Sequence, residues 1–74
     1  MTEANFNKIT EALENGKDIQ FCFYAGRYIL KAKTYARWKA AGRPAIKRAD
    51  NGIWLARGKG YDYAPDGTFA VYSC

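Results

Sequence analysis

The chain has 74 residues, with 12 Lys and Arg against 7 Asp and Glu for a net charge of +5, and no histidine. A chain this short builds one small domain, with little room for both a core and an elaborate active site. The missing histidine removes the commonest general base and metal ligand, and Cys22 and Cys74 match no zinc or Cys-x-x-Cys spacing.

Ile, Leu and Val total nine and Phe, Tyr and Trp total twelve, so the core must be rich in aromatic rings. Residues 1–16 are polar and acidic without an apolar stretch, and no run approaches the roughly 20 apolar residues of a membrane span. The expectation is a cytoplasmic protein with reduced thiols and no membrane partner.

Phe6, Ile9 and Leu13 fall at helical spacing, which predicts an amphipathic helix over Glu3–Asn15 with Thr2 as N-cap and Gly16 as its stop. Asp18–Tyr24 alternates, with Ile19, Phe21 and Phe23 on one face, and reads as a strand. Ala25-Gly26-Arg27 turns the chain. Tyr28–Thr34 alternates again, completing a hairpin and setting Lys31 and Lys33 on one strand face. Tyr35, Trp38 and Ala41 share a helical spacing that Gly42 and Pro44 end. Ala45–Ala49, Ile53–Arg57, Tyr61–Ala64 and Thr68–Ser73 then read as extended segments. Asn51-Gly52 suits a type I′ turn, Gly58-Lys59-Gly60 a bulge or tight bend, and Pro65-Asp66-Gly67 a further turn. The fold class is α+β: a helix, a strand hairpin, a short helix and a three-strand antiparallel meander, as a small curled sheet or a small barrel.

Charge is distributed unevenly along these elements. Ten of the twelve Lys and Arg residues lie between Arg27 and Lys59 with one acid, Asp50, a net +9 in 33 residues. Each flank sums to −2. Ile29, Leu30, Trp38, Ile46, Trp54 and Leu55 interrupt the basic residues, so they belong to a folded surface rather than a disordered tail. A single-sign stretch of this density attracts polyanions.

Tyr24, Tyr28, Tyr35, Trp38, Trp54, Tyr61 and Tyr63 lie within or beside the basic region. Rings beside cations are the composition of single-strand nucleic-acid binders, where bases stack on aromatics. Most of these rings are needed for the core. Tyr24, Tyr35 and Trp38 are the expected exposed ones. Gly42-Arg43-Pro44 resembles the Gly-Arg-Pro centre of the AT-hook, a minor-groove motif, over three residues. Ala41 stands where that motif has Arg, and a helix stop followed by a loop also accounts for Gly42 and Pro44.

Catalysis is not expected: the carboxylates are dispersed, Asp18, Asp50, Asp62 and Asp66 fall at strand ends and turns, and no nucleophile setting, metal site or cofactor motif is present. The leading expectation is a nucleic-acid-binding module for DNA or RNA. Its candidate contacts are Arg27, Lys31, Lys33, Tyr35, Arg37, Trp38, Lys39, Arg43, Lys47 and Arg48, mainly to phosphates. The alternative is a small inhibitor or adaptor, of the kind phages encode, docking its basic face on an acidic protein surface with Tyr35, Arg37 and Trp38 as anchors.

Overall fold

Helix α1, Glu3–Glu14, starts where the sequence predicts: the Thr2 hydroxyl accepts from the Asn5 N–H at 3.2 Å, an N-cap worth about 1 kcal/mol. Ile9 and Leu13, one turn apart, are buried, and Phe6 packs beside them. In this computed structural model residues 1–72 are described. Ser73, the last residue of the expected closing strand, and the Cys74 thiol lie outside the described residues.

Strands β1, Asp18–Phe23, and β2, Gly26–Leu30, form an antiparallel hairpin around Tyr24-Ala25. The second run was expected to stay extended to Thr34. Instead helix α2, Ala32–Ala40, begins two residues after Leu30. The cause is tertiary. The Lys31 side chain makes no cap bond, and Asp18 Oδ1, at the start of β1, accepts from the Ala32 N–H at 2.9 Å. A carboxylate at a helix N-terminus also meets the positive end of the helix dipole. Lys31 and Lys33 therefore do not share a strand face.

Both helices end alike. Lys17 N–H bonds the Ala12 carbonyl and Gly16 N–H the Leu13 carbonyl; Arg43 N–H bonds the Trp38 carbonyl and Gly42 N–H the Lys39 carbonyl. This crossed pair of bonds is the Schellman motif. Its left-handed residue is glycine each time, Gly16 at φ +80° and Gly42 at φ +79°. Gly42 is thus accounted for as a helix stop.

Four strands follow α2. Strands β3, Ile46–Ala49, β4, Gly52–Arg57, and β5, Gly60–Pro65, make the expected antiparallel meander. Strand β6, Thr68–Tyr72, leaves it and pairs with β1, giving a second three-stranded sheet in the order β2-β1-β6. The sheets do not close into a barrel. The β4–β5 connection is a two-residue turn, Gly58-Lys59, with Gly58 at φ +55°, and not a bulge. The β3–β4 turn is not type I′, because neither Asp50 nor Asn51 has positive φ. Bonds from outside the turn set its shape. Asn51 O accepts from Tyr63 Oη at 2.6 Å and from Asp66 N–H at 2.8 Å. The Met1 ammonium donates to the Ala49 carbonyl at 3.1 Å and to the Asp50 carbonyl, and pairs with Asp66 at 3.4 Å.

Directly opposed residues of a sheet share a face. Ile19, Phe21 and Leu30 therefore face the core from one sheet, and Ile46, Ile53, Leu55 and Ala64 from the other. Ile9, Leu13, Ala32 and Tyr35 of the helices complete that core. Burying each of the large side chains contributes about 1.5–3 kcal/mol. Neither helix is long and apolar enough to cross a membrane.

Candidate functional site

The ten expected contact residues do not form one face. Lys33 and Arg37, one turn apart, lie on the exposed side of α2. Lys31 and Lys33 line one open groove of about 560 Å³ between the end of α1 and the start of α2, with Leu13, Ala32 and Ala36. Arg27 lies on β2, on the outward face that register gives it opposite Cys22. Lys47 and Arg48, adjacent on β3, point to opposite faces, and Arg48 Nε donates to the Met1 carbonyl at 3.3 Å. The Arg43 guanidinium donates to the Gly58 carbonyl in the β4–β5 turn.

Tyr35 and Trp38 are not the exposed rings expected. Tyr35 is 8% exposed, and its hydroxyl donates to Glu14 Oε1 at 3.1 Å, joining α2 to α1. Trp38 is half-buried against the core. The i, i+3 spacing that places both on α2 also turns them inward, because the helix's apolar side is the one the core needs. Lys39 stays exposed and pairs with Glu14 at the surface between the two helices. That ammonium, and next the Tyr35 hydroxyl, hold the Glu14 carboxyl below its ordinary pKa, while Glu14 holds Lys39 above its own. Tyr24 is fully exposed at the tip of the first hairpin, as expected.

The structure presents a different set of rings. The outward face of β3-β4-β5 carries Lys47, Trp54 and Tyr63 in one row across the three strands, with Tyr61 two residues along β5. Trp54 is 41% exposed, and its ring centroid lies 5.1 Å from that of Tyr63 at a 56° tilt. The Lys47 ammonium sits 4.6 Å from the Tyr61 ring centre. Tyr61 Oη donates to the Pro44 carbonyl at 2.8 Å, so its ring crosses β4 at Ala56 to reach the far edge. Tyr63 crosses at Gly52: a Cβ there would stand 2.8 Å from Tyr63 Oη and 2.9 Å from its Cε2. Small residues under both tyrosines let the rings lie along the sheet. The sequence holds these rings within the basic stretch; what singles them out is the Gly58-Lys59 turn length, which fixes Trp54 opposite Tyr63.

Carboxylates are largely taken up in internal contacts. Glu14 pairs with Lys39, Asp62 with Arg57 at 2.8 Å, Asp66 with the Met1 ammonium, and Asp18 caps α2. The side chains of Arg27, Lys31, Lys33, Arg37, Lys47 and Lys59 make no ion pair or hydrogen bond among the described residues. Arg43 and Arg48 are bonded only to carbonyls, which leaves their charge unneutralised. No three His, Cys, Asp or Glu among the described residues are grouped to hold a metal ion. No family model, curated protein or solved structure matches the chain.

Proposed function

We propose that this protein is a small non-enzymatic module that binds nucleic acid, chiefly through phosphate contacts from its unneutralised Lys and Arg side chains. The observation that carries this reading is the division of charge: Glu14, Asp18, Asp62 and Asp66 are consumed in contacts that hold the fold, while of the cations between Arg27 and Lys59 only Lys39 and Arg57 make an ion pair among the described residues. Net charge of this kind draws polyanions and makes their binding depend steeply on salt.

Fluorescence anisotropy of labelled single-stranded DNA, duplex DNA and RNA, from low to physiological salt, tests it. The expected result is micromolar or tighter binding that falls linearly on a log–log salt plot. The double charge reversal Lys33→Glu with Arg37→Glu lowers that slope by about 1.4 for a single strand if both residues contact phosphate. An unchanged affinity removes α2 from the site. No binding to any of the three at low salt overturns the proposal.

A second reading, a protein-docking inhibitor or adaptor, has one observation in its favour. Ile29 and Tyr72 are 48% and 42% exposed on the outward face of β2-β1-β6, in an open depression that Arg27 and Lys31 also line. Exposed apolar area beside cations suits an acidic protein partner. That reading gains ground if oligonucleotides fail to bind at low salt.

A further inference from the structure

The outward face of β3-β4-β5 combines three features that solvation alone does not require. Trp54, Tyr61 and Tyr63 are grouped on the side of the sheet opposite Ile53, Leu55 and Ala64, with Trp54 exposed. The two tyrosines are held at both ends, by their strand and by hydroxyl bonds to the Pro44 and Asn51 carbonyls, so their rings are fixed before any ligand arrives. The one charge that register places on this face is Lys47; Arg43 is bonded into the turn at its Tyr61 end, where Lys59 also sits, and the acid Asp50 lies in the turn at the opposite end. Asp62, the acid of β5, lies on the other face with Arg57.

We propose that this face is a stacking platform for single-stranded nucleic acid, with Trp54 and Tyr61 receiving base faces and Lys47, Arg43 and Lys59 the phosphates. The proposal rests on the charge reading above and narrows it to a ligand class. A duplex hides its base faces in its own stack, whereas a single strand can lay them on a flat ring. Rings held rigid add stacking without an ordering penalty at the moment of binding. Lys47 now covers Tyr61 and moves to a phosphate when a base takes its place. That exchange replaces a cation–ring contact at an exposed site with a base stack and a charge-assisted bond.

The test is binding of a short single-stranded oligonucleotide and a duplex of equal length to the full chain, followed by intrinsic tryptophan fluorescence and by anisotropy across salt. Trp54→Ala and Trp54→Phe serve as variants, since the exposed Trp54 can be truncated without opening the core. The single strand is expected to bind about ten-fold more tightly than the duplex and to quench fluorescence. Trp54→Phe removes that quench, which assigns it to Trp54 rather than Trp38. Trp54→Ala weakens single-strand binding about 5- to 150-fold, the range for losing a base–ring stack. Its salt slope stays unchanged, whereas Lys47→Ala lowers the slope. Equal binding of both ligands, with no quench and no effect of Trp54→Ala, overturns the platform and leaves the charge reading standing. No binding of either at low salt overturns both.

Discussion

Substituting Gly52 by alanine tests the geometry of the tyrosine-covered sheet face directly. The new Cβ runs into the Ala64 carbonyl of the paired strand and stands 2.8 and 2.9 Å from the Tyr63 hydroxyl and Cε2. The Tyr63 ring can tilt away, but the Ala64 carbonyl belongs to the backbone of β5, so the β4–β5 ladder must shift as well. Overpacking of this kind costs about 1–3 kcal/mol. Losing the Tyr63–Asn51 hydrogen bond adds about 0.5–1.5 kcal/mol. Alanine's lower backbone entropy in a strand returns about 0.5–1 kcal/mol. Steric cost wins, and the net destabilisation is about 2 kcal/mol. A domain of this size has a total stability of about 4–11 kcal/mol, so the variant folds. Its melting temperature drops by about 8–16 °C, read by circular dichroism at 222 nm or by urea titration. An unchanged or raised melting temperature refutes the reasoning, because alanine's entropic advantage would then be all that remains.

Asp18→Ala removes the acceptor that starts α2 and lowers stability by about 1 kcal/mol, while Asp18→Asn keeps an acceptor and costs less; equal melting temperatures for Ala and wild type would sink this account of the helix start. Glu14→Gln tests the interhelical contact through pH. The folded carboxyl titrates below its ordinary value of 4.5, so its contribution is present above that pH and is lost as pH falls through the lower folded value. Removing the carboxylate therefore flattens the acid side of the melting-temperature profile below pH 4.5. An unaltered acid slope would mean that the half-exposed Lys39–Glu14 pair contributes nothing measurable.

Local signals served α1 well and found the paired strands of the hairpins, although the first turn falls on Tyr24-Ala25 rather than on Ala25-Gly26-Arg27. Thr2, the Ile9/Leu13 spacing and Gly16 bound a helix within the chain's own neighbourhood, and Gly42 does the same for the end of α2. The start of α2 was not legible, because the group that caps it sits fourteen residues earlier on another element. The type I′ expectation at Asn51-Gly52 failed for a similar reason: carbonyls of that turn are held by Met1, Tyr63 and Asp66. Among the candidate contacts, charge was readable and orientation was not. Alternation along Tyr28–Thr34 suggested a strand face for Lys31 and Lys33, and the helix that replaced it moved both to a groove rim. Tyr35 and Trp38 lie within the basic stretch, yet the core recruits them, and the rings grouped outside are Trp54, opposite Lys47 and Tyr63, and Tyr61, opposite Ala56.

The return of β6 to β1 divides the molecule's assembly in time. The β1–β2, β3–β4 and β4–β5 pairings each join strands adjacent in the chain, and such hairpins form in about 1–10 μs. The Ile19–Val71 and Phe21–Phe69 pairs must instead wait until everything between them is compact, and they bear the loop-closure entropy of that whole span. Until β6 arrives, the edge of β1 presents unpaired backbone groups beside Ile19 and Phe21, which is the interval in which another copy of the chain can take its place. Cooperative folding and resistance to aggregation therefore depend on one short strand near the C-terminal end.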